Sequence, residues 1–138
     1  MASSREKPLS KSQFEELAEF RYQMRRFERF SEKAARSCGI TSLQYLLLLH
    51  IKGYPGREHA NVGELAERLQ AHPHGVVTLI TRCEARGLVR RRPSRRDGRE
   101  VEVHLLAAGE RVLAKLATLH QGERRKIHDV FSIPARDA

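Results

Sequence analysis

Apolar residues recur at helical spacing over most of the chain. Residues 10–38 carry the first such stripe, whose members include Phe14, Leu17, Met24, Phe27 and Ala34. Ser12 and Glu15 have the spacing of a capping box at its start, and Gly39 ends it. The pattern predicts one long amphipathic helix. Because no strand accompanies this helix, another helix must cover its apolar face, and a partner subunit could supply it.

Three shorter helices are predicted next. The first, in "ITSLQYLLLLHIKGYPG", begins at a capping box formed by Thr41 and Gln44. It is apolar nearly all round, which predicts a buried central helix. The second repeats this capping pattern, with Asn61 as its cap and Glu64 three residues further on. The third has Pro73 in its first turn and Gly87 just past its end. The segment "GYPGREHA", between the first two, is predicted to be a linker.

A change of periodicity follows the fourth helix. The segments "LVRRR" and "REVEVHL" alternate or favour β-branched residues on either side of "PSRRDG", which predicts a β-hairpin with a basic tip. Val101, Val103 and Leu105 then face one way and the polar residues between them the other. Residues 108–133 return to helical spacing and predict a last helix.

These elements predict a mainly α fold with a small β-hairpin (α+β), in a single domain covering residues 1–138. Two short capped helices joined by a tight turn and followed by a hairpin are the outline of a winged helix-turn-helix. Residues 41–107 are expected to form this DNA-binding lobe. Residues 10–38 and 108–133 are expected to be dimerisation helices.

The charge is concentrated in the same lobe. The chain has 26 Lys and Arg residues against 17 Asp and Glu residues, a net charge of +9. Eight of the arginines lie between Arg82 and Arg99, where only Glu84 and Asp97 oppose them. A charge this focused favours a polyanionic partner, and its place on a hairpin after paired helices favours double-stranded DNA.

Other classes of function find little support. The longest apolar run, near residues 45–51, is far shorter than the roughly 20 residues that span a membrane. Cys38 and Cys83 lie far apart without a CxxC spacing, and no signal-peptide pattern occurs, so a cytoplasmic location is expected. No motif for catalysis stands out, and no His, Cys or carboxylate cluster has the spacing of a metal site. We therefore expect no enzymatic activity, no cofactor and no metal.

Three segments carry a family resemblance: "VGELAERLQ", "VVTLITRCEARGLVRR" and "RRDGREVEVHLLAAGERVL". Through them the sequence resembles the MarR family of bacterial transcriptional regulators over nearly the whole chain. The resemblance implies an obligate homodimer with interlocked first and last helices, and two winged lobes that read a pseudo-palindromic operator. It also implies a repressor that a small aromatic or phenolic ligand releases from DNA.

The resemblance assigns residues to each role. The recognition helix would contact DNA through His72, His74, Gly75, Thr78 and Arg82. The wing would do so through Arg95, Arg96 and Arg99, with Asp97 holding the Arg99 guanidinium by a charge-assisted hydrogen bond. The residues expected at the dimer interface are Phe14, Leu17, Met24, Leu116, Leu119, Ile127 and Phe131. The candidates for the ligand pocket are Phe30, Tyr45 and His50.

Three positions depart from the family pattern. Leu106 stands where a Thr usually caps the last helix, Cys83 replaces a core Leu, and Gly98 replaces a frequent second wing arginine. Three alternatives also stay open: an architectural DNA-binding protein with little sequence specificity, a redox-sensing regulator that uses Cys38 or Cys83, and a module whose arm helices bind another protein.

Overall fold

A computed structural model describes residues 7–122 together with residues 125 and 128. Within the described residues the chain forms five helices and three strands. In chain order they are α1 (Lys11–Ser37), α2 (Ser42–Lys52), β1 (His59–Asn61), α3 (Val62–Leu69), α4 (Pro73–Ala85), β2 (Val89–Pro93), β3 (Val101–Leu105) and α5 (Ala107–Leu119). The predicted order of four helices, a hairpin and a further helix is confirmed.

The chain divides into two compact units. Of the described residues, 7–31, 120–122, 125 and 128 belong to the first unit, and 32–119 belong to the second. The residues predicted to form the DNA-binding lobe, 41–107, all belong to the second unit. Within the first unit, the buried His120 lies 3.2 Å from the Ser31 hydroxyl through its Nε2 atom and meets the rings of Phe27 and Phe30 edge-on.

The starts of α2 and α3 follow the predicted capping boxes. The Thr41 hydroxyl accepts the Gln44 N–H at 3.1 Å, and the Gln44 side chain accepts the Thr41 N–H at 3.0 Å. Asn61 and Glu64 make the same reciprocal pair at 2.8 and 3.0 Å. Each box supplies acceptors for N–H groups that the first turn of a helix leaves unbonded, so both helix starts are fixed by local sequence.

The predicted range of α1, residues 10–38, fits the helix, but its predicted capping box is wrong. The capping box is formed by Ser10 and Gln13, whose reciprocal bonds measure 3.2 and 2.9 Å, and not by Ser12 and Glu15. Both pairs have the required spacing, and a glutamine carbonyl accepts the cap N–H as well as a carboxylate does. The helix therefore begins at the earlier box.

The sheet has a strand that the sequence did not predict. β1 lies within the segment predicted to be a linker and pairs antiparallel with β3, so that the strand order is β1-β3-β2. His59 lies opposite His104, and Asn61 lies opposite Glu102. A strand of three residues is too short to show an alternating pattern, and it exists because β3 offers a free edge.

The core of the second unit lies between the helices and one face of this sheet. Its largest fully buried side chains are Leu47, Leu48 and Ile51 of α2, Leu65 of α3, Val76 and Ile80 of α4, Val89 of β2, Val103 of β3 and Leu116 of α5. As predicted, α2 is a buried helix, although Leu43 and Leu49 on it are exposed. Composition alone did not show which side of this apolar helix the chain itself covers.

The start of α5 packs directly against the backbone that precedes β2. The Leu106 N–H donates to the Leu88 carbonyl at 2.9 Å, and a Cβ atom on Gly109 would lie only 2.2 Å from the same oxygen. Gly109 is therefore required for this close approach. In the part of the chain that the structure describes, no helix is long and apolar enough to cross a membrane.

Candidate nucleic-acid interface

One face of α4 is buried and the other is open. Val76, Ile80 and Cys83 are fully buried, whereas His74, Thr78 and Arg82 are exposed. The three exposed residues are separated by steps of four, each of which turns about 40° around a helix axis, so they form one stripe. α4 thus presents a polar face of His, Thr and Arg away from the core that holds it.

The beginning of α4 is fixed by histidine rather than by a hydroxyl or carboxylate cap. The Nδ1 atom of His72 accepts the His74 N–H at 3.2 Å, and the two imidazole rings stack at 5.2 Å between centroids. Pro73 occupies the first turn as predicted, where its missing N–H costs nothing. A Cβ atom on Gly75 would meet no atom within 4 Å. The start of α4 therefore offers open space beside two polar rings.

The hairpin of β2 and β3 is the wing. The turn at its tip, residues 94–100, is stabilised by its own short polar side chains. The Ser94 hydroxyl accepts the N–H groups of Arg96 and Asp97 at 3.2 and 3.4 Å. The Asp97 carboxylate accepts the backbone N–H of Arg99 at 3.0 Å, and the Asp97 carbonyl accepts the Glu100 N–H at 3.0 Å. These bonds order a loop on which Arg95, Arg96 and Arg99 are exposed.

The role predicted for Asp97 needs correction in one respect. Its carboxylate bonds the backbone N–H of Arg99 and not the guanidinium. Asp side chains favour this arrangement because the N–H two residues on is within easy reach, whereas a bond to a long side chain must also offset its lost rotamer freedom. Asp97 therefore shapes the turn, and the turn places Arg99.

Two of the eight arginines are held within the lobe. Arg91 of β2 bonds α4 at three places: the Glu84 carboxylate at 2.9 Å, the Thr81 hydroxyl at 2.9 Å and the Val77 carbonyl at 3.3 Å. Arg86 donates to the side-chain oxygen of Gln44 at 3.4 Å. The arginine count of the sequence therefore overstates the charge that this surface presents to a partner.

The sheet and α3 are joined by a polar contact that the sequence did not reveal. The side-chain amide of Asn61, which caps α3, donates to the Glu100 carboxylate at 3.3 Å at the base of the wing. Asn61 thus bonds Glu100, the residue just before β3, as well as its own helix. The signal was hidden because the two residues are brought together only by the pairing of β1 with β3.

The residues predicted to lie at the dimer interface have different environments. Phe14, Leu17 and Leu119 are exposed, and Met24 is half-buried. Leu116 is fully buried in the core of the second unit, so it packs within its own chain, contrary to its predicted role. Ile127 and Phe131 lie outside the described residues.

The three candidates for a ligand pocket lie in two different units of the chain. Tyr45 is buried, and burial raises the pKa of its hydroxyl. His50 is half-buried, and burial followed by the charge of Arg68 lowers the pKa of its imidazole. Phe30 is exposed in the first unit. A groove in the second unit is lined by other residues: Tyr54, Asn61, Gly63, Glu64, Glu67 and Arg68.

The two cysteines differ in accessibility. Cys38 is half-buried and Cys83 is fully buried. Burial raises the pKa of the Cys83 thiol to about 11, although the charge of Arg86 acts in the opposite direction. The thiolate is the reactive form, so Cys83 is a poor redox sensor near neutral pH.

Metal-ligating side chains do meet at one place in the described residues, where His59, Glu102 and His104 converge on the sheet. None of the three was predicted as a ligand, because His59 is far from the other two in the sequence. The cluster lies apart from α4 and the wing tip.

The family model that matches the chain is that of the MarR family, over residues 39–100, which run from the end of α1 to the wing. The chain is similar to the MarR family over this part of its length. No curated protein sequence matches it.

Three solved structures share the fold of this chain. AbsC, a MarR family transcriptional regulator from Streptomyces coelicolor, is 22% identical with a TM-score of 0.74, over 94% of this chain and 86% of that one. The transcriptional regulator Tm0710 from Thermotoga maritima is 27% identical with a TM-score of 0.64, over 86% and 80%. A MepR mutant from S. aureus, bound to an oligodeoxyribonucleotide, is 16% identical with a TM-score of 0.64, over 93% and 87%. The chain thus has the winged-helix fold of MarR-family transcriptional regulators.

Proposed function

We propose that this protein is a homodimeric, sequence-specific DNA-binding transcriptional repressor of the MarR family. The observation that carries the proposal is the division of α4 into a fully buried apolar face and an exposed stripe of His74, Thr78 and Arg82. A helix of this kind fits the major groove, whose base edges carry a distinct pattern of donors and acceptors for each base pair.

The wing supplies the second contact. Its exposed arginines Arg95, Arg96 and Arg99 lie on a turn that Ser94 and Asp97 order. Arginines presented this way suit the phosphate backbone or a narrow minor groove, where the negative potential is concentrated. The S. aureus MepR structure, solved with an oligodeoxyribonucleotide, supports the same use of this fold.

The homodimer is supported by the exposed apolar residues of the arm helices. Phe14 and Leu17 are 56% and 51% exposed, and Leu119 is 43% exposed. Large apolar side chains at helical spacing are costly to leave in water, and a second copy of α1 would cover them. A symmetric dimer would carry two recognition helices and would read an inverted repeat. Release by a small aromatic ligand stays a prediction from the family resemblance.

The test is a selection from random double-stranded DNA with the purified protein at physiological salt. We expect an inverted repeat with half-site centres about ten base pairs apart. Retention of unselected sequence would contradict specificity and favour the architectural alternative. The selected site then allows variants to be compared: Arg82→Ala should lose about tenfold or more in affinity, whereas Arg111→Ala, an exposed arginine of α5, should change it little.

The dimer has a separate test by light scattering at micromolar concentration. The wild-type chain should have twice the mass of one chain, and Phe14→Glu with Leu17→Glu should lower it to that of a monomer. The matched control is Glu15→Gln with Glu19→Gln, which changes exposed polar residues on the same helix. A wild-type monomer would contradict the homodimer.

A further inference from the structure

Strands β1 and β3 together hold a cluster of three metal-ligating side chains. His59 lies on β1, directly opposite His104 on β3, and Glu102 is two residues before His104 on the same face of β3. One donor atom from each residue lies within 4.8 Å of the other two. All three side chains are half-buried, so they are sheltered but still reachable by an ion.

The distances approach those of a coordination sphere. The Glu102 Oε2 atom is 3.1 Å from Nε2 of His104 and 3.6 Å from Nδ1 of His59. Two ligands of a tetrahedral zinc ion, each about 2.0–2.1 Å from the metal, lie about 3.4 Å apart. Both separations are close to this value, and the two histidine nitrogens lie within 4.8 Å of each other, so rotations of the imidazole rings would bring the three donors onto one ion.

One donor in the cluster is poorly satisfied as it stands. The Nδ1 atom of His59 is buried and has no hydrogen-bond partner among the described residues. A buried ring nitrogen without a partner costs free energy that a bound cation would recover. The imidazoles of His59 and His104 stack face to face, with 4.8 Å between their centroids.

The donor set and its surroundings select a class of ion. Arg90 lies opposite His104 and Arg92 lies opposite Glu102, and their positive charges oppose a cation that is held by charge attraction alone. A site with two neutral imidazoles and a single carboxylate does not suit Ca²⁺ or Mg²⁺, which require several oxygen ligands. Imidazole nitrogen with one carboxylate is a donor set typical of zinc and related transition metals.

We propose that His59, Glu102 and His104 form a binding site for one divalent transition-metal ion of the zinc class, with water completing the coordination. The ion would join β1, which leads into α3, to β3, which leads out of the wing. The site is independent of the proposed DNA contacts, because none of its ligands lies on α4 or at the wing tip.

The test is calorimetric titration of the untagged protein with zinc chloride, in the absence of DNA and in a buffer that does not bind metals. The wild-type chain should bind one zinc ion. His59→Gln and His104→Gln should each weaken binding at least tenfold, and so should Glu102→Gln, which removes the charge with little change of shape. His50→Gln, a half-buried histidine of α2 outside the cluster, is the matched control and should bind as the wild type does.

A thermal unfolding scan gives a second measurement. Zinc should raise the unfolding midpoint of the wild type and of His50→Gln but not that of His59→Gln, since an ion that binds only the folded state stabilises it. The proposal is overturned if the wild type does not bind zinc at micromolar concentration. It is also overturned if His72→Gln with His74→Gln abolishes binding while the cluster variants keep it. Because no DNA is present, neither result depends on the proposed function.

Discussion

The carboxylate of Glu84 accepts two bonds from Arg91, one from the backbone N–H at 3.0 Å and one from the guanidinium at 2.9 Å. Glu84 lies near the end of α4, and Arg91 lies in the middle of β2. The pair therefore joins the proposed recognition helix to the first strand of the wing. An arginine in the most basic part of the chain is used to position the helix rather than to meet a partner.

Removing the Glu84 charge should weaken this junction. Both side chains are partly exposed, so solvent screens the pair, and we expect Glu84→Gln to lower the free energy of unfolding by about 1 kcal/mol at pH 7. Urea denaturation checks the value. Glu32→Gln, an exposed carboxylate of α1, is the control and should have no measurable effect. Equal losses for the two variants would contradict the role of the pair.

The same pair predicts a pH dependence. The backbone N–H of Arg91 is the main cause that lowers the pKa of Glu84 below its ordinary value of 4.5, with the charge of Arg91 also contributing. A carboxyl with a lowered pKa in the folded state contributes stability that is complete above the unfolded pKa. That contribution is lost as the pH falls through the folded pKa. The stability difference between wild type and Glu84→Gln should therefore shrink below about pH 4.5 and persist from pH 5 to 8, as measured by urea denaturation at each pH.

The bond from Asp97 to the Arg99 backbone predicts a contrast between two variants. Asp97→Asn keeps a side-chain oxygen that can accept the N–H, so it should bind the selected DNA at least as tightly as the wild type. Asp97→Ala removes the acceptor, which at about 1 kcal/mol for one hydrogen bond corresponds to about a fivefold loss of affinity. Fluorescence anisotropy at fixed salt measures both. If Asn binds as weakly as Ala, the carboxylate charge acts on the Arg99 guanidinium after all.

Helix starts were the most predictable features because their signals are local. Thr41 with Gln44 and Asn61 with Glu64 are three residues apart, and the structure forms both boxes. Even so, Ser12 with Glu15 had the same spacing as the box that α1 actually uses. A local signal therefore gives the kind of element more securely than its first residue.

Features that depend on pairing across the chain were not predictable. β1 is formed because β3 lies beside it, and the cluster of His59, Glu102 and His104 follows from that register. In the same way, nothing in a run of arginines distinguishes Arg91, which bonds α4, from exposed Arg90 beside it. The difference is set by the sheet, where alternate residues face opposite sides. The sequence indicated the interface, and tertiary contacts decide which of its charges are available.

Two glycines should respond in opposite ways to substitution by alanine. In Gly109→Ala the new Cβ would lie 2.2 Å from the Leu88 carbonyl, so backbone must shift and we expect a loss of about 1–3 kcal/mol or more. In Gly75→Ala the Cβ meets nothing within 4 Å, and the helix should gain about 0.5–1 kcal/mol. Thermal and urea unfolding measure both. Equal effects of the two substitutions would contradict the packing of α5 against Leu88.

Cys83 could act as a redox sensor or only fill the core, and the reactivity of its buried thiol distinguishes the two roles. The chain has two cysteines, so Cys38→Ser leaves Cys83 as its single thiol. Burial raises the pKa of that thiol to about 11, so at pH 7 only about one molecule in ten thousand carries the thiolate, and access is also blocked. We expect native Cys38→Ser to resist both iodoacetamide and hydrogen peroxide, by mass spectrometry, and to keep its DNA affinity after peroxide treatment. Urea-unfolded protein is the positive control and should be alkylated. Loss of DNA binding in peroxide-treated Cys38→Ser would instead make Cys83 the sensor and would require an opening of the core that exposes it.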